Sequence, residues 1–228
     1  MTSTQREVAA GRRIARRVER DMTLADEPLQ ERVRAIGARI AAVSDRKELQ
    51  YRFAVIEEES VNAFSLPGGY IFVNTGLVEK AGSDDELAGV IAHEVAHVAA
   101  RHAVKRFEGA MGLQIAQLAA LATGDSQVAR GVGMAATAAQ LAYSRQDELD
   151  ADRLAVKYAR EAGFDPKAIL TFLAKLQEVH RKHAQYLPRG IVRPQYALTH
   201  PYVPERLRAA KEALYGVADY FDYLNTEH

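Results

Sequence analysis

Apolar residues recur at helical spacing in residues 5–22, where Val8, Ile14, Val18 and Met22 form one stripe. A second stripe, Leu29, Val33, Ile36, Ile40 and Val43, predicts a helix over 27–43. The period then changes. Residues 49–57 (LQYRFAVIE) alternate and are rich in β-formers, which predicts a strand. Residues 60–78 (SVNAFSLPGGYIFVNTGLV) predict two strands around a Pro67-Gly68-Gly69 turn, where proline presets φ and glycine supplies positive φ. Together these segments predict a small antiparallel sheet of about three strands.

After Gly76 the pattern is helical. Ser83 and Glu86 make a capping box that opens a helix at Asp84, running to about Phe107. Residues 109–142 are rich in Ala, Gln, Met and Leu with a break at 123–126, and predict an apolar helical hairpin. A charged helix over 144–163 ends at Gly163 and Pro166. Another helix covers 166–185, a Pro-rich loop covers 185–204, and a last helix starts near Pro204. The chain thus reads as one domain over 1–228: N-terminal helices (5–48), a small sheet (49–78), a helix (83–107), the hairpin (109–142), a further helix (144–163), and C-terminal helices with a loop (166–228). The fold class is α+β, mostly helical.

Charge and composition narrow the function. The 30 basic and 30 acidic residues cancel, so nothing global favours nucleic acid as a partner. The first helix nevertheless carries a basic face, Arg12, Arg13, Arg16, Arg17 and Arg20, which suits either solvent or peripheral contact with an anionic membrane. There is no cysteine, so a metal must be held by His, Asp or Glu. The N-terminus has no continuous apolar stretch of the signal-peptide type. The longest charge-free runs, 109–124 and 131–143, fall short of the roughly 18 residues a bilayer-spanning helix needs.

The chemistry concentrates in LAGVIAHEVAHVAARHAVKR. His93 and His97 stand one helical turn apart on the same face and can aim two imidazoles at one Zn²⁺. Glu94 beside them can act as general base on a metal-bound water, the HExxH pattern. A catalytic zinc needs a third protein ligand. His102 follows His93 by nine residues, about 180° round a continuous helix, and is expected to face away. Ala100 and Ala103 stand where a metzincin needs Gly and His. Glu148 and Asp152, spaced i and i+4, could supply the third ligand and an acceptor for a ligating histidine's N–H. Asp147, Glu148, Asp150 and Asp152 also suit a solvated acidic face pairing with Arg145 and Arg153.

Four segments, NAFSLPGGYIFVNTGL, ELAGVIAHEVAHVAARHAVKR, YSRQDELDADRLA and LTHPYVPERL, together resemble metallopeptidase family forty-eight over residues 7–215. The resemblance implies a zincin-like gluzincin with zinc on His93, His97 and Glu148, Glu94 as base and Asp152 behind a ligating histidine. It implies roles near the active site for His200 and Arg206, either of which could steady an oxyanion. A histidine at position 200 could also cap the zinc and hold the enzyme latent. Asn62, Ala63 and Phe64 are implied as an edge that pairs with an extended substrate backbone. The segment 109–142 could plug the site or touch a membrane interface, with core packing as the plain alternative.

The expected activity is zinc-dependent endopeptidase cleavage of extended or unfolded protein. The alternative is a latent protease or a zinc-stabilised, chaperone-like module that binds unfolded chains. The family's membrane-embedded members carry spanning helices that this chain lacks. Its periplasmic members suggest a bacterial cell-envelope or periplasmic location if a signal peptide has been removed; otherwise a cytoplasmic one is expected.

Overall fold

The β2–β3 hairpin organises the sheet. In the computed structural model, which describes residues 3–106, 108, 143–186, 200 and 203–216, Gly68 and Gly69 adopt φ of 80° and 94° in the turn after Pro67. The turn joins β2 (Ala63–Leu66) to β3 (Tyr70–Asn74), which pair antiparallel with Phe64 opposite Phe72. β1 (Arg52–Ile56) lies on the other side of β3 and runs parallel to it. The expected antiparallel sheet is therefore mixed. Turn chemistry fixes the direction of β2 against β3, whereas β1 reaches the sheet through residues 57–62, where no tight turn dictates its neighbour. All five positions of β3 are buried, as befits the central strand.

Helices cover both faces. α1 (Ser3–Asp21) packs over Tyr70 and Phe72 through Ala15 and Val18. α2 (Glu27–Val43) begins at Asp26, whose carboxylate accepts from the Leu29 N–H, with Pro28 in the first turn. Its stripe Val33, Ile36 and Ile40 enters the main core with Val55, Ile71 and Val73. The short α3 (Thr75–Lys80) follows β3, and α4 (Asp84–Ala99) then crosses the core. At its start Ser83 Oγ accepts from the Glu86 N–H, but the Glu86 carboxylate takes the Gly82 N–H and pairs with Lys175, so the capping box is shifted by one residue. α5 (Arg145–Glu161), α6 (Ala168–Tyr186) and α7 (Val203–Tyr215) follow, and residues 102–106 are helical as well. The hairpin expected over 109–142 and most of the loop over 185–204 lie outside the described residues. No described helix is long and apolar enough to cross a membrane.

Candidate metal centre

α4 is buried on every side from Glu86 to Val98. Such a helix must be apolar or small-residued, and Ala88, Ala92, Val95 and Ala96 comply. His93, Glu94 and His97 do not, yet they are 3%, 0% and 0% exposed. Buried polar groups persist only with partners, so these residues mark a site. α5 packs on α4 through fully buried Ala151 and Ala155, whose small size brings Glu148 and Asp152 close. A Ser144 capping box starts α5 one turn before Glu148. α7 contributes Arg206, and the preceding loop contributes His200.

The expected ligands converge. His93 Nε2 and His97 Nε2 are 3.0 Å apart, and Glu148 lies 3.5 Å from the first and 3.4 Å from the second. Tetrahedral zinc with ligands at about 2.0–2.2 Å separates its donors by about 3.3–3.6 Å, which the two Glu148 separations match, while the two histidines stand slightly closer. His93, His97, Glu148 and His200 each turn a donor atom into this cluster, all within 4.8 Å of one another. His93 Nδ1 is 2.8 Å from Asp152 Oδ1, which leaves Nε2 for the cluster. The acidic-face alternative keeps only the outer residues: Asp150 pairs with Arg153, and Arg145 with Glu205.

Glu94 lies beside the cluster with neither carboxylate oxygen hydrogen-bonded among the described residues. His200 Nε2 approaches Oε1 at 3.3 Å, outside hydrogen-bond geometry, while its Nδ1 is 3.0 Å from Glu148. His200 thus sits between the third donor and the candidate base, fully buried rather than in an exposed loop. Arg206 forms a two-pronged pair with Asp152, Nε and Nη2 each at 2.9 Å, and its Nη1 is 3.1 Å from Glu148. Its guanidinium thus lies against two buried carboxylates.

The field in this pocket sorts the titrating groups. Burial and Arg206 oppose a charge on His93, but the Asp152 and Glu148 carboxylates prevail and push it up to about 9. Burial holds His97 well below the ordinary imidazole value. Burial opposes ionisation of Glu148, yet His200 and Arg206 hold its carboxyl well below the usual range. Asp152 is likewise lowered: burial opposes, and Arg206 and His93 outweigh it.

Two placements escaped the sequence. The helix expected to reach Phe107 is broken after Ala99, where Arg101 takes a left-handed φ of 61°, and helical residues resume at 102–106. The chain folds back there, and His102, expected to face away, is buried with Nδ1 3.0 Å from His97 Nδ1. No glycine announces this break. Tyr143 was not singled out at all. Its ring stacks on His97 at 3.8 Å between centroids, and its hydroxyl is 3.3 Å from Ser65 Oγ on β2. Its one signal is an aromatic just before the Ser144 cap.

The substrate edge expected at Asn62, Ala63 and Phe64 falls on and just before β2. β2 is an edge strand of the sheet. The Asn74 N–H donates to the Asn62 carbonyl, so in this antiparallel ladder Asn62 and Phe64 turn their backbone groups inward to β3. Ala63 and Ser65 turn theirs to the outer edge.

Residues 27–214 match the profile of peptidase family M48. A beta-barrel assembly-enhancing protease of Vibrio cholerae is 32% identical over 82% of this chain and 39% of its own length. The Escherichia coli beta-barrel assembly-enhancing protease is 29% identical over 92% of this chain and 44% of its own. The mitochondrial metalloendopeptidase OMA1 of Schizosaccharomyces pombe is 31% identical over 77% of this chain and 50% of its own. The chain spans half or less of the length of these relatives. It belongs to peptidase family M48, a family of metal-dependent peptidases.

Proposed function

We propose that this chain is a zinc-dependent metalloendopeptidase that cleaves extended or unfolded protein segments. The observation that carries the reading is Glu94: a fully buried carboxylate without a hydrogen bond among the described residues, adjoining three donors gathered as for one ion. His93, His97 and Glu148 would hold the ion, which when bound acidifies water and polarises a carbonyl. Glu94 takes a proton from the attacking water as its oxygen bonds the peptide carbon. The same carboxyl returns the proton to the amide nitrogen as the C–N bond breaks. The outward backbone groups of Ala63 and Ser65 bind the substrate main chain as an added strand, which confers little sequence preference.

His200 favours a second state of the same enzyme. It is wedged between Glu148 and Glu94, where a metal-bound water would have to lie beside the base. This conformation reads as closed, with His200 as the group that must withdraw. The substrate class draws on relatives named for beta-barrel assembly, and a cell-envelope location accords with them. Cell fractionation tests that location. The outward arginines of α1 would support peripheral membrane contact, which salt-sensitive binding to anionic liposomes would test.

The deciding experiment is digestion of an unfolded model protein by zinc-loaded enzyme, read by mass spectrometry. Wild type should produce fragments and His200→Ala more of them. Glu94→Gln should keep its zinc and lose cleavage by about 10²–10⁴-fold. Equal cleavage by Glu94→Gln would refute the base assignment.

A further inference from the structure

The two histidines of the HExxH segment are backed differently. His93 turns its Nδ1 to the Asp152 carboxylate. His97 turns its Nδ1 to another imidazole, His102, at 3.0 Å, and His102 Nε2 in turn lies 3.3 Å from Asp147 Oδ1. His102 is 2% exposed and reaches this position only because the chain reverses at Arg101. Asp147 is held from its other side, where Oδ2 accepts from Ser144 Oγ at 2.7 Å in the cap of α5.

One arrangement of protons satisfies the whole row. His97 Nε2 faces His93 and Glu148, so to serve as a metal donor it must be bare, and the His97 proton then sits on Nδ1. That N–H needs an acceptor, and the atom opposite it is His102 Nδ1. A neutral imidazole accepts at one nitrogen only when its proton is on the other. His102 must therefore carry its proton on Nε2, the atom facing the anionic Asp147. The carboxylate sets the tautomer of His102, and His102 sets the tautomer of His97.

We infer that His102 is a positioning residue for the metal centre, and that Asp147 orients it, so that an Asp147–His102–His97 row does for the second histidine what Asp152 does for the first. The inference rests on the reading of His93, His97 and Glu148 as metal ligands. It couples the cap of α5 to the far end of α4, so the two helices that supply the ligands also fix one another's proton positions. The row touches neither substrate nor reacting atoms, and its effect is on how tightly and in what geometry the metal is held.

The test measures Zn²⁺ affinity of the full chain by competition with a chromophoric chelator, the visible spectrum of the Co²⁺-substituted protein, and thermal unfolding of the metal-free protein. His102→Phe, which fills the volume without an acceptor, should weaken Zn²⁺ binding about 10–100-fold and shift the Co²⁺ bands. His102→Asn, which can still accept at the near position, should recover much of the loss. Asp147→Asn keeps the imidazole in place and should weaken binding by a smaller factor. Wild-type affinity in both His102→Phe and Asp147→Asn would overturn the inference. So would equal losses in His102→Phe and His102→Asn, since that marks a packing effect. Failure of wild type to bind Zn²⁺ would instead refute the ligand reading itself, and His97→Ala supplies that control. If His102→Phe does not fold, Asp147→Asn alone decides, because it leaves every ring in position.

Discussion

Arg206 is the side chain on which the charge balance of the buried site turns. It is 1% exposed and lies against two carboxylates that are themselves buried, Asp152 and Glu148. Replacing it by glutamine leaves those carboxylates in the interior without their cation. Breaking a buried pair this way costs about 3–5 kcal/mol, so Arg206→Gln should lower the urea midpoint of the metal-free protein accordingly. Arg206→Lys should restore only part, because an ammonium cannot reproduce the two-pronged contact with Asp152. A loss of about 0–1 kcal/mol would be that of a surface ion pair and would contradict the burial. Little of this was legible in the sequence. The i, i+4 spacing of His93 with His97, and of Glu148 with Asp152, is local geometry that a helix must express. The placement of Arg206 under Asp152 depends on how α7 packs against α5, 54 residues apart, and no periodicity encodes it.

The elements were more legible than their relations. α1, α2, the hairpin, α5 and α7 all stand close to where the apolar stripes and turn residues put them. The parallel partner of β1 and the break after Ala99 did not, because one is set by long-range pairing and the other by a left-handed arginine that Glu7 helps to hold at 3.6 Å. The docking of α1 has a similar cause. A Cβ on Gly11 would stand 1.7 Å from the Pro67 carbonyl oxygen of the β2–β3 turn, so only glycine allows the helix to lie this close. Gly11→Ala should therefore lift α1 from the hairpin at a cost of about 1–3 kcal/mol, typical of overpacking. Amide exchange should accelerate in α1 and in residues 66–70 while α4 and α5 keep their protection. Unchanged exchange in α1 would mean that the helix does not rest on the turn.

At the scale of the whole molecule, the fold gathers His93, Glu94, His97, Glu148, Asp152, His200 and Arg206 into one interior from α4, α5, α7 and a loop, and it also decides which of them hold protons. His97 is kept well below the ordinary imidazole value, so it is neutral at neutral pH, and Glu148 is kept well below the carboxylate range, so it is ionised. His93 differs: Asp152 and Glu148 raise it from 6.5 to about 9. A raised pKa contributes stability that is fully present below the unfolded value of 6.5 and is lost as pH rises through about 9. A metal bound at His93 Nε2 must displace that proton, and neither of the other two ligands has one to give. Metal binding at about pH 7.5 should therefore release about one proton, and the apparent affinity should rise about tenfold per pH unit until it levels near pH 9. Calorimetry in buffers of different ionisation enthalpy measures the proton count directly. Asp152→Asn removes the main support of the raised pKa and should bring the count toward zero at the same pH. Release of no proton by wild type would mean that His93 is already neutral in the metal-free protein, and that the buried carboxylates are balanced by Arg206 instead.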